Sequence, residues 1–114
     1  MVLGRIGLTG ATGLLGRHLH GTLVSAGAEV IATSRTDQRG IKKWNLATWL
    51  NHDEFDKIFN GVQAIVHAGA SVEATGAVDE ASMFDVNVRA CLNLGQWALV
   101  RNIPIIHLSG AIVY

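Results

Sequence analysis

Apolar runs alternate with longer amphipathic stretches along most of the chain. The runs at residues 2–9, 29–34, 64–67 and 103–108 read as strands, and 41–45 reads as a further one whose Lys42 and Lys43 mark a solvated edge. Between them, Leu15, Leu19 and Leu23 recur at i, i+4 and i+8 in a helix that stops at Gly27. A second helix fits 53–60 and ends at Gly61. A third spans 79–100, with Met83, Val86, Ala90, Leu94 and Trp97 as its apolar face. Pro104 falls among the first residues of the last strand, where a missing N–H is tolerated. Such alternation predicts an α/β fold with a doubly wound, mostly parallel sheet in the order 3-2-1-4-5. Residues 35–40 are too few for a helical crossover, which takes about a dozen. That connection is therefore a short loop, or the third strand is not parallel.

The segment Thr9-Gly10-Ala11-Thr12-Gly13-Leu14-Leu15-Gly16 lies between the first strand and the first helix and spaces its glycines G-x-x-G-x-x-G. Gly10 permits a sharp turn, Gly13 lets backbone approach an anion, and Gly16 lets the helix pack close to the sheet. The free N–H groups of the first helical turn then face the ligand. Gly10, Thr12, Gly13, Leu14, Leu15 and Gly16 are thus predicted to hold a dinucleotide pyrophosphate in a Rossmann-like fold, at the switch point between strands one and four.

Composition narrows the remaining classes. At 114 residues the chain is one domain, long enough for a core but short for a complete α/β enzyme. It is 49% hydrophobic and 16% charged, which suits a sheet buried on both faces. Nine basic and nine acidic side chains cancel, which argues against a nucleic-acid or polybasic membrane surface. No apolar run reaches the ~18 residues of a membrane span. The expectation is a soluble, cytoplasmic protein. The single cysteine, Cys91, reads as a buried small hydrophobe. His18 and His20 flank Leu19 and read as surface residues, His67 and His107 as satisfied strand histidines. The five histidines show no metal-ligand spacing, so no metal is expected.

Four segments resemble the extended short-chain dehydrogenase/reductase family, the nucleotide-sugar epimerases and dehydratases. They are the glycine loop, Ala64-Ile65-Val66-His67-Ala68-Gly69-Ala70, Phe84-Asp85-Val86-Asn87-Val88, and His107-Leu108-Ser109-Gly110-Ala111-Ile112-Val113-Tyr114. The resemblance places Ala68, Gly69 and Ala70 beside the cofactor and gives Asn87 a part in ordering the active site. Asn45 and Leu46 fall where the family carries Asp-Leu near the adenine. At the end of the second strand, NAD-preferring members carry an acid for the ribose hydroxyl; this chain has Thr33-Ser34-Arg35. Ser34 and Arg35 suit a 2′-phosphate, so NADP is favoured over NAD.

The family's catalytic tyrosine belongs to a Tyr-x-x-x-Lys motif, which this sequence lacks. Its only tyrosine, Tyr114, matches the end of the fourth segment. Aligned on it, Gly110 takes the usual catalytic-serine position, and Ser109 is the nearest hydroxyl. The expectation is the NAD(P)-binding portion, residues 1–114, of a longer enzyme that transfers hydride on a nucleotide sugar or similar carbonyl or alcohol substrate. By itself this portion is expected to be inactive. The resemblance also implies homodimerisation through the third helix. A non-catalytic dinucleotide sensor and a purely structural interaction domain stay open as alternatives.

Overall fold

Gly4, at φ 76°, leads the chain into β1 (Arg5–Thr9); residues 2 and 3 of the predicted strand lie outside the described residues. The computed structural model describes residues 4–36, 38–69 and 80–108, the last with side chains from 86 onward. α1 (Leu14–Ser25), β2 (Glu29–Ser34), β3 (Lys42–Lys43), α2 (His52–Ile58), β4 (Ala64–His67), α3 (Glu80–Arg101) and β5 (Ile105–His107) follow. Among the described residues the sheet has five strands in the order β3-β2-β1-β4-β5, all paired in parallel. The fold is the Rossmann-like one that the hydrophobic pattern predicts.

β3 settles the question left by the short connection. It is parallel, but it is two residues long and pairs only with the end of β2, Thr33 with Lys42 and Ser34 with Lys43. The chain therefore backtracks past two residues instead of a whole strand, and it needs no crossover helix. At the far edge, β5 is shorter than predicted and starts just after Pro104, whose carbonyl accepts from the Ile65 N–H at 3.0 Å.

One face of the sheet carries the larger core. Ile31, Gly7, Ile65 and Ile105 align across four strands, under Phe55 and Phe59 from α2 and its end and Trp97 from α3. Gly7 is there because a Cβ would lie 2.9 Å from the Phe59 ring. The glycine that dilutes the apolar character of β1 makes room for an aromatic side chain. Trp44, Phe55, Phe59 and Trp97 pack with ring centroids 5.2 to 6.3 Å apart. Such contacts add to the burial of their large apolar area.

The opposite face is thinner. Leu8, Ala11, Ala32 and Val66 are buried beneath α1, and Gly16 is the only buried residue of that helix. Because Gly16 makes the close contact, the face toward the sheet runs through Leu19 and Leu23, three and seven residues on. Leu15 lies a quarter-turn away and is 53% exposed, so it leaves the predicted stripe. His20 is half-buried at the margin of the same face, while His18 is exposed as expected.

α3 buries Ala90, Asn93, Leu94, Trp97 and Ala98, a helical stripe with an amide inside it. Met83 lies outside the residues with described side chains. Asn93 holds the chain entering α2: its Oδ1 accepts from the Leu50 N–H and its Nδ2 donates to the Leu50 carbonyl, both at 2.8 Å. The next residue, Asn51, caps α2 in a reciprocal pair with Glu54. Asp56 then ties α2 to α3, accepting from Trp97 Nε1 and from both Nε and Nη2 of Arg101. Hydrogen bonds from Arg101 and then Trp97 lower its carboxyl to about 2. Among the described residues no helix is long and apolar enough to cross a membrane.

Replacing Asn93 with Ala strands a buried N–H and a buried carbonyl together. We expect urea unfolding to show a loss of about 2–4 kcal/mol. A loss under ~0.5 kcal/mol would mean that the Leu50 backbone finds other partners.

Candidate functional site

β1, β2 and β4 end side by side, and the segments leaving them line a crevice of about 610 Å³. Gly10, Thr12, Gly13 and Leu14 come from the turn after β1, Thr33, Ser34 and Arg35 from the end of β2, and Ala68 and Gly69 from beyond β4. Trp44 to Ala47 close one side and Val86 of α3 another. This is the switch point of the sheet, where neighbouring connections leave in opposite directions and a ligand can enter between them.

The turn is held at several points. Gly10 adopts φ 66° and runs so near the backbone leaving β4 that a Cβ would meet the Gly69 Cα at 2.6 Å. Gly16 lies against the Gly10 carbonyl, where a Cβ would come within 1.8 Å of the oxygen. The Ala11 N–H donates to the Thr33 carbonyl at 3.0 Å, and the Gly69 N–H donates to Thr9 Oγ1 at 2.9 Å. The middle glycine behaves differently. A Cβ on Gly13 would approach nothing closer than 3.5 Å, so the fold alone does not require glycine there.

Gly13 is also the N-cap of α1. It supplies no side-chain hydrogen bond, and the first turn contains no acid. α2 shows the contrast, since Asn51 caps it and Asp53 and Glu54 lie in its first turn. The Gly13 N–H itself donates to the Gly10 carbonyl at 3.2 Å. No side chain caps the amides that follow it, so these could hold an anion with the positive end of the helix dipole behind them.

Most predicted cofactor residues meet at this crevice, but not all. Leu14 lines it and is 86% exposed. Leu15 is exposed and is not among the lining residues, and Gly16 is packed underneath the turn. Arg35 is exposed on the wall. Ser34 is buried there, with its hydroxyl donating to the Thr36 carbonyl at 2.7 Å. Asn45 Oδ1 accepts from the Ala47 N–H and shapes a local turn; its Nδ2 has no partner among the described residues. Asn87 is half-buried in α3 beside Val86 and is not among the lining residues. The fully buried amide of that helix is Asn93. Ala70, Ser109, Gly110 and Tyr114 lie outside the described residues.

Thr33, Trp44, Ala47 and Val86 line the crevice without having been predicted to. Thr33 and Trp44 adjoin predicted residues at the ends of β2 and β3, so strand-end position was the available signal. Val86 comes from α3, and only the tertiary fold brings it there.

Behind the crevice the histidines depart from expectation. His67 is 2% exposed, shares a 2.7 Å hydrogen bond between its Nδ1 and Thr9 Oγ1, and leaves Nε2 buried with no partner among the described residues. His107 lies beside it in register, ring centroids 5.4 Å apart, with Nδ1 3.8 Å from Cys91 Sγ. Cys91 is half-buried rather than buried, and burial pushes its thiol up. Burial, and then the neighbouring His107, lower His67 from 6.5 to about 4.

The model of the NAD dependent epimerase/dehydratase family matches residues 6–114. The chain belongs to that family. Solved structures agree on the fold. A short-chain dehydrogenase/reductase superfamily protein from Agrobacterium tumefaciens with bound NAD is 24% identical, with a TM-score of 0.73 over 93% of this chain and 32% of its own. The L-threonine dehydrogenase of Clostridium difficile is 20% identical, with a TM-score of 0.75 over 94% and 36%. The ADP-L-glycero-D-manno-heptose-6-epimerase of Helicobacter pylori is 20% identical, with a TM-score of 0.78 over 96% and 40%. The chain thus spans 32% to 40% of the length of these relatives. No curated protein matches it.

Two outcomes follow. Gly16→Ala should destabilise the chain by at least about 2 kcal/mol, whereas Gly13→Ala should cost under about 1 kcal/mol in the same thermal melts. Equal costs would contradict the packing described. For His67, the depressed value means that the unfolded chain binds the proton first. Its contribution is complete above about 6.5 and falls away as the pH drops toward about 4. Between pH 7.5 and 4.5 the wild type should lose about 2–3 kcal/mol more than His67→Gln in urea titrations. Parallel curves would show that His67 titrates normally.

Proposed function

We propose that residues 1–114 form the NAD(P)-binding domain of a cytoplasmic enzyme that transfers hydride on a nucleotide sugar or similar carbonyl or alcohol substrate. The observation that carries this reading is the uncapped, acid-free start of α1 opening on the crevice beneath a glycine turn. Its free amides and dipole suit the pyrophosphate, and the absence of a Cβ at Gly13 keeps the approach open. Ala68 and Gly69 keep the path along β4 narrow in side-chain bulk. Trp44 to Ala47 offer the adenine an apolar wall and the Asn45 amide.

Arg35 supports NADP over NAD. It stands on the wall at the end of β2, where an acid would serve a free ribose hydroxyl, and its guanidinium suits a 2′-phosphate. When bound, the nicotinamide supplies the hydride acceptor or donor. This chain's own residues bind and orient the dinucleotide. In homodimerisation, α3 would present Val88, Leu92 and Leu99, large apolar side chains that lie exposed on it.

Fluorescence titration with NADPH and NADH tests the reading. The wild type should bind NADPH more tightly, and Arg35→Ala should weaken NADPH by about 10–100-fold while changing NADH less than about threefold. An equal effect on both, or none, would contradict the role of Arg35. Binding of neither dinucleotide by the full chain would overturn the reading.

A further inference from the structure

We propose that His67, Cys91 and His107 form a binding site for one divalent ion of the zinc class, between the ends of β4 and β5 and the face of α3. One ligand atom from each of the three lies within 4.8 Å of the other two. Ligand atoms around tetrahedral zinc lie ~3.3–3.8 Å apart, so side-chain rotations of about 1 Å close the set. Cys91 Sγ and His107 Nδ1 already stand at 3.8 Å. Both belong to side chains with room to move, since Cys91 is half-buried and His107 is exposed.

His67 gives the second, independent observation. Its side chain is almost wholly buried, its Nδ1 is engaged by Thr9, and its Nε2 is a buried polar atom without a partner among the described residues. An unpaired buried nitrogen is costly, and a metal ion would satisfy it. With Nδ1–H donated to Thr9 Oγ1, Nε2 presents its lone pair, the arrangement in which an oxygen behind a metal-bound histidine fixes its tautomer and orientation. The environment favours the neutral ring that ligation needs, because burial depresses its protonation.

Two imidazoles and a thiol suit zinc among the common divalent ions, and neither magnesium nor calcium. Binding converts the Cys91 thiol to thiolate and releases its proton to solvent. Three protein ligands leave a fourth position for water. None of the three lines the dinucleotide crevice, so the proposal does not depend on the function proposed above. The sequence hides this set because its members are spread over β4, α3 and β5.

The test is titration of the metal-free full chain with cobalt(II), followed by displacement with zinc(II). We expect one equivalent to bind with a thiolate-to-cobalt charge-transfer band in the near ultraviolet, and zinc to abolish that band. Cys91→Ala should remove the band, and His107→Ala should weaken binding by at least about tenfold. Both substitutions are at solvent-reaching positions, and circular dichroism would show an unchanged fold. Binding without a charge-transfer band, no binding, or affinity unaffected in both variants would overturn the proposal. The last result would place the ion on surface histidines such as His18.

Discussion

The turn that leaves β1 runs against the backbone that leaves β4, at a distance no side chain permits. Gly10 meets Gly69, and Gly16 meets the Gly10 carbonyl; a methyl group at either Gly10 or Gly16 would overlap backbone. Backbone cannot yield as the end of a flexible side chain can. This contact therefore fixes where α1 starts and how far it stands from the sheet. Thr9 reinforces it by accepting from the Gly69 N–H and bonding His67 on the same strand row. The crevice, its uncapped helix terminus and the buried histidine behind it all take their positions from this junction.

The two faces of the sheet contribute unequally to holding it. On one, the aromatic side chains of Trp44, Phe55, Phe59 and Trp97 make a continuous core, and Asn93 and Asp56 fasten the segments that carry them. On the other, α1 presents a single buried glycine and two half-buried leucines. The stiff face supports β1, β4 and the loop that bears Trp44. The lighter face carries the helix whose uncapped first turn opens on the crevice. The opening beside that turn is shaped by backbone, with Gly10 and Gly13 after β1 and Gly69 beyond β4, while polar side chains reach it from the end of β2.

Strand order, parallel pairing and the glycine turn were legible because each rests on a local pattern: β-α alternation, turn residues and glycine spacing. The Arg35 position was legible for the same reason, as a residue at a fixed place after a strand. What escaped was whatever depends on distance in space. Leu15 was placed on the buried stripe by periodicity, and only the Gly16 contact shows the helix rotated past it. β3 was read as a longer strand because the sequence does not reveal that it backtracks beside only two residues of β2. Asn87 drew attention as a helix amide, while Asn93 proved to be the buried one, its partner Leu50 lying far away in sequence. The His67, Cys91 and His107 grouping has no spacing signature, since the fold assembles it from two strands and a helix.

The central claim is that the crevice over the α1 terminus binds a dinucleotide through backbone amides. Amide chemical shifts of the isotope-labelled full chain, followed while NADPH is added, test it most directly. The account predicts that the largest changes fall on Thr12, Gly13 and Leu14, with further changes at Arg35 and Gly69. Saturable changes confined to other surfaces, or none at these amides, would contradict it.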